Sequence, residues 1–205
     1  MAQGSDLRRI ESICRALGAD IDVRVRWRGE GLDRLLDEAH ARLVEKVVKR
    51  LSSFAWECAV EVSFNDFGER GSIDVLAWHP SERALLVIEV KSVVPDVQAT
   101  IFGIDRKARL GPKVAIARGW DVANTSRLLV IRDGSTSRRR VEDAESVFDV
   151  AFPARGPEVR RWLRKPNGSL SGLLFLPGST AGGIGRGSSG RQRVSRPRNV
   201  LKRSQ

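Results

Sequence analysis

Three charged side chains interrupt apolar stretches of this chain. Asp74 lies in Ile73-Asp74-Val75-Leu76-Ala77-Trp78, and Glu89 and Lys91 lie in Leu85-Leu86-Val87-Ile88-Glu89-Val90-Lys91-Ser92-Val93-Val94. Runs that are apolar at both parities mark strands covered on both faces, so these charges are predicted to be withdrawn from water. That is costly unless each charge is paired or binds a metal. Residues two apart on a strand point the same way, which puts Glu89 and Lys91 on one face. The connection His79-Pro80-Ser81-Glu82 has turn chemistry, so the strand of Asp74 is expected beside that of Glu89. Two neighbouring carboxylates disfavour each other's ionisation, and a divalent cation relieves this. Oxygen ligands suit Mg²⁺ or Mn²⁺, for which one or two carboxylates suffice. The expected chemistry is hydrolysis of a phosphodiester, with Lys91 holding the attacking water or stabilising the charged phosphorane. The same residues also read as an ordinary ion pair, with Glu89 and Lys91 on an exposed sheet face and Asp74 at a strand end.

The elements that must position them follow from periodicity. Residues 6–18 are predicted as a short helix stopped by Gly18, and Asp20 to Trp27 as a half-buried strand by its alternation. Gly29-Glu30-Gly31 is expected to break the chain. Leu32 to Phe54 keeps a helical spacing through Leu36, Leu43, Val47 and Leu51. Strands are expected at Glu57 to Phe64, Ser72 to Trp78 and Ala84 to Val94, the first two joined by Asn65-Asp66-Phe67-Gly68. Val97 to Leu110 reads as a helix, and Pro112 through Arg118 as a second one. Arg127 to Ile131 is expected as a strand, Ser137 to Phe148 and Glu158 to Leu163 as helices, and Leu173 to Leu176 as a last strand. The order helix, three strands, helix, strand predicts a mixed α/β fold with helices on the sheet faces.

Charge bears on the partner. The net charge is +11 over 205 residues, which points to a polyanion such as nucleic acid, DNA foremost. From Gly178 onward stand Arg186, Arg191, Arg193, Arg196, Arg198, Lys202 and Arg203, with no acid. Those seven leave the rest of the chain at +4 (11 − 7). This Gly/Ser/Arg stretch has too little apolar surface to offset its chain entropy, so a disordered basic tail is expected over 178–205. It suits sequence-independent electrostatic binding, without aromatics for base stacking. No run approaches the ~18 apolar residues of a membrane span, and the amino terminus lacks the apolar stretch of a signal peptide. A cytoplasmic protein without membrane association is expected, with Cys14 and Cys58 as buried, reduced thiols in apolar surroundings.

Asp74, Glu89 and Lys91 give the pattern Asp, a gap, Glu, any residue, Lys, and in this the chain resembles the PD-(D/E)XK superfamily. Restriction endonucleases and Holliday-junction resolvases belong to it. Gly68-Glu69-Arg70-Gly71-Ser72-Ile73-Asp74 is also similar to the Gly-Glu-x-Asp entry of resolvase-like members, with Ile73 in place of the motif's proline. The resemblance implies a restriction-endonuclease-like α-β-β-β-α-β core over about residues 32–132, within a nuclease-like domain at 32–177. Residues 1–31 then form an amino-terminal helix and strand. Similar bacterial proteins place a helix-turn-helix before such a domain, and residues 6–18 would match only the end of that module. Resolvase-like relatives supply a further glutamate from the first helix. Glu45 is the best placed, about 110° from the centre of the apolar stripe, with Asp37 and Glu38 as rivals and His40 nearer the apolar face. The implied function is a Mg²⁺- or Mn²⁺-dependent endonuclease, with Asp74, Glu89 and Glu45 on the metal and Lys91 at the water. A non-cleaving DNA-binding regulatory or accessory protein is the alternative. In the helix after the motif, Gln98, Arg106, Lys107 and Arg109 read either as phosphate contacts or as a solvated basic face.

Overall fold

A computed structural model describes residues 9, 12–18 and 30–178. Residues 12–16 are helical and Gly18, at φ 70°, follows in a turn, in line with the expected stop. The strand expected at Asp20 to Trp27 and the tail beyond Gly178 lie outside the described residues.

The first long helix, α1, spans Glu30–Ser52. It starts earlier than expected, with Gly31 inside its first turn. The first amides of a helix have no partner within it, so a glycine there forfeits little. Beyond Ser52 the chain reverses at Ala55, whose φ is 61°, and the Trp56 amide donates back to the Leu51 carbonyl at 3.3 Å. Strands β1 (Glu57–Asp66), β2 (Glu69–His79) and β3 (Ala84–Lys91) then form an antiparallel meander.

Helix α2 spans Val97–Ile116, capped by the Asp96 carboxylate, which accepts from the Ala99 amide at 2.9 Å. It corrects the expectation of two helices, since it runs straight through Pro112. A proline clashes with the Cβ of a helical residue before it, and here that residue is Gly111, which has none. Gly111 also lets the helix lie close on the sheet: a Cβ there would come within 2.7 Å of Val87 Cγ2.

Strand β4 (Asn124–Asp133) pairs parallel with β3. The single helix expected over Ser137 to Phe148 is two, α3 (Ser135–Glu142) and α4 (Glu145–Ala151). Ala144, at φ −124° and ψ 31°, leaves the helical region between them. The break turns Phe148 into a core where it is fully buried beside Phe152, Ile131 and Leu173. Next come β5 (Ala154–Arg155), too short to leave a period in the sequence, α5 (Gly156–Arg164) and β6 (Ser171–Pro177).

The result is a mixed six-stranded sheet in the order β1-β2-β3-β4-β6-β5, parallel from β3 onward and flanked by helices. On one face Leu43, Val47 and Leu51 of α1 meet Val75, Ala77, Leu86, Ile88 and Val90, with Val159 and Leu163 of α5 in the same cluster. On the other, Leu110 and Ala115 of α2 meet Leu76, Leu85 and Val87, and α4 adds Phe148. Among the described residues no helix is long and apolar enough to cross a membrane. Cys14 and Cys58 are free and half-buried, less covered than expected, and burial pushes the Cys58 thiol up to about 11.

Candidate functional site

Strands β2 and β3 pair from His79↔Ala84 to Val75↔Ile88, and the ladder stops there. Asp74, the next residue of β2, instead turns its carboxylate across the gap: Oδ2 accepts from the Val90 amide at 2.7 Å. On its other side the β1–β2 ladder skips Asp74 as well, passing from Val60↔Val75 to Val62↔Ile73. The residue skipped on β1 is Glu61, at φ 48°. A non-glycine residue in the left-handed region costs about 1–3 kcal/mol and persists only where its surroundings hold it. The sheet is therefore locally opened around Asp74, and a side chain replaces the missing ladder bond.

Asp74 shares the strand parity of Leu76, and Glu89 that of Leu85 and Val87, so both carboxylates face α2. They are nearly buried, at 8 % and 5 % exposure. Both reach one nitrogen, Lys107 Nζ of α2: Asp74 Oδ1 at 3.1 Å and Glu89 Oε2 in a short contact. Lys91 stands on the same face as Glu89, as its spacing predicts, with Nζ 2.7 Å from Glu89 Oε1. Lys91 is half-buried at the end of its strand. Burial alone would lower the Lys107 pKa; the charges of Glu89 and Asp74, and the hydrogen bonds to them, outweigh it and hold the ammonium above its ordinary value. Two carboxylates and two ammoniums thus compensate each other inside the fold.

The structure brings together Asp74, Glu89 and Lys91, and it does not bring Glu45 to them. Glu45 is exposed on α1, which packs on the opposite sheet face. Its rivals are no nearer: Asp37 is exposed, Glu38 pairs with Arg42 one turn on at 3.1 Å, and His40 faces Glu61 of β1 at 3.8 Å. Among the described residues no cluster of three or more His, Cys, Asp or Glu stands where it could hold a metal. The donors on the page are two carboxylates, a set that Mg²⁺ accepts when waters and a substrate oxygen complete its shell. Both already converge on one cationic nitrogen, Lys107 Nζ.

Of the helix residues with a predicted phosphate role, only Lys107 points into the site. Gln98, Arg106 and Arg109 are exposed, and Arg109 Nη2 binds both oxygens of Glu69 at 3.0 and 2.7 Å. Helical phase carries the signal for Lys107: Thr100, Ile104, Lys107, Gly111 and Ala115 recur every three or four residues as the buried stripe of α2.

A crevice of about 430 Å³ lies away from this cluster, at the carboxyl ends of β4 and β6. Two of its arginines are engaged: Arg138 holds Asp133 and Arg155 holds Asp149. Four acids line it, Asp133, Glu142, Glu145 and Asp149, and two of them are paired with arginine. Set against known protein families and curated proteins, the chain matches no family model and no individual protein.

Proposed function

We propose that this chain is a Mg²⁺- or Mn²⁺-dependent nuclease of restriction-endonuclease-like fold, hydrolysing phosphodiester bonds, in DNA foremost. The observation that carries the reading is the convergence of Asp74 and Glu89, from adjacent strands, on a single buried cationic centre. A divalent cation held by these two carboxylates supplies Lewis acidity at a phosphodiester oxygen. Asp74 is fixed for that role by the Val90 amide, and Glu89 by its place in a fully covered strand. Lys107 has to withdraw from the carboxylates to admit such an ion, and its four-carbon stem lets it swing. Lys91, on the rim of the site beside Glu89, orients the attacking water or neutralises the charge that grows on the phosphate.

One observation favours a second reading, a non-cleaving DNA-binding protein with a nuclease-like domain. Lys107 and Lys91 already balance both acids, so the site is complete without a metal.

Cleavage of plasmid, linear, single-stranded and four-way-junction DNA with Mg²⁺ or Mn²⁺ separates the two. Expected are cutting of at least one substrate by the parent, loss of about 10²–10⁴-fold in rate for Lys91→Ala with metal binding retained, and loss of both activity and metal binding for Glu89→Ala. Equal cutting by Lys91→Ala moves the active site elsewhere. A parent that cuts none of the four selects the non-cleaving reading.

A further inference from the structure

Helix α2 turns Lys107 inward and presents a different set of residues to solvent. Phe102, Arg106, Arg109 and Lys113 follow one another at spacings of four, three and four, which aligns them on one face. Phe102 is 70 % exposed, and Arg106, Arg109 and Lys113 are exposed too. The only acid in α2 is Asp105, which pairs with Arg127. The stripe runs for ~17 Å at 1.5 Å per residue.

A second aromatic stands at its carboxyl end. Asp66 and Glu69 face each other across the β1–β2 hairpin, leaving Phe67-Gly68 as a two-residue turn with φ of 46° and 86°. Turns with both φ positive favour Asn-Gly, and a bulky residue at the first position is strained. Phe67 is also 97 % exposed. The position therefore carries backbone strain and exposed aromatic surface together. The turn is clamped to α2 on both sides: Lys113 Nζ lies 2.6 Å from Asp66 Oδ1 and Arg109 grips Glu69. The Lys113 ammonium also sits over the Phe67 ring, 4.9 Å from its centre. The ring is thus held outward on a braced support.

We infer that the outer face of α2 and the β1–β2 hairpin tip form a track for an unpaired nucleic-acid strand, with bases stacking on Phe102 and Phe67 and phosphate on Arg106. Exposed rings interleaved with cations match such a strand, whose bases offer π-faces and whose backbone is anionic. Duplex DNA offers the charges and keeps its base faces hidden. The inference rests on the nuclease reading in taking nucleic acid as the partner, and it names the form of the substrate: single-stranded, or with an unpaired segment.

The test is fluorescence anisotropy of the full chain with a thymidine oligonucleotide, a uridine oligonucleotide and a DNA duplex of equal length. The parent is expected to prefer the unpaired strands; thymidine alone or uridine alone bound tightly names the sugar. Phe67→Asn/Phe102→Gln is expected to bind the unpaired strand about tenfold more weakly or worse, with duplex affinity nearly unchanged. Phe67→Asn places the favoured residue in the turn, so its melting temperature should equal or exceed the parent's, and Phe67→Trp should keep the affinity. Arg106→Gln should make the salt dependence shallower, by about 0.7 in log–log slope. Unchanged single-strand binding by the double variant, or a parent without preference for unpaired strands, overturns the track. If that occurs while the parent cuts duplex DNA, the nuclease reading stands. A parent that grips unpaired strands through Phe67 and cuts nothing leaves the track and overturns hydrolysis.

Discussion

Lys107 keeps only 11 % of its side chain exposed while facing two carboxylates that are buried as deeply. Removing one partner of a buried ion pair strands the other charge, at about 3–5 kcal/mol. Lys107→Met should therefore lose stability of that order in urea denaturation without divalent ions, and Mg²⁺ or Mn²⁺ should restore it. Linkage gives ~2.7 kcal/mol at a free concentration one hundred times Kd. A variant destabilised equally with and without the ions would make the cluster a structural ion pair. The residues that announced themselves in the sequence are those whose surroundings were incongruous: Asp74, Glu89 and Lys91 stand among Val, Ile and Leu. Lys107 was named only among several basic residues of one helix, because charge type alone does not separate it from Arg106 or Arg109. Its phase with Ile104 and Ala115 does. Glu45 was assigned through resemblance, and packing sent its helix to the other side of the sheet.

At the scale of elements, the site depends on how closely α2 approaches β3. Gly111 sits one turn beyond Lys107 on the same buried stripe, and its Cα lies against Val87. Gly111→Ala gains up to about 1 kcal/mol in helix propensity, but overpacking a filled core costs about 1–3 kcal/mol. A net loss near 1 kcal/mol is expected, visible as a lower melting temperature. Metal affinity should change with it, since the helix that carries Lys107 has been pushed outward. A stabilised variant would mean that the helix–strand contact yields easily. Long elements with one strong period were legible: α1 and β1 to β4 appear close to where alternation and helical spacing put them. Pro112 and the break at Ala144 were not: the first turns on the missing Cβ of its neighbour Gly111, a local cue that reading proline as a helix breaker overrides, and the second on a tertiary contact that sequence-local rules do not contain. Gly111 accommodates the first, and burial of Phe148 accompanies the second.

For the molecule as a whole, charge is divided between mildly basic residues 1–177 and a strongly basic carboxy-terminal stretch. The seven basic residues after Gly178 are set against no acid. Truncation after Gly178 should leave the melting temperature unchanged while weakening nucleic-acid binding. The log–log salt dependence for single strands should become shallower by up to about 5, or 0.7 for each lost charge. A substantial drop in melting temperature would show that the stretch contributes to the fold.

The mixed sheet has a further consequence, for the order in which the chain folds. The meander β1-β2-β3 closes through short turns, whereas Ala84↔Asn124 and Arg127↔Ser171 join strands some forty residues apart. Closing long loops precedes the contacts that reward it, so parallel pairing is intrinsically slow. Asp74 and Glu89 both belong to the early, local half, and Lys107 arrives with the helix that follows it. In a chevron analysis, Val62→Ala in the meander should mainly slow folding, and Leu174→Ala in β6 should mainly speed unfolding. The reverse pattern would place the nucleus in the parallel half, and the two acids would then meet only after their counter-charge is in place.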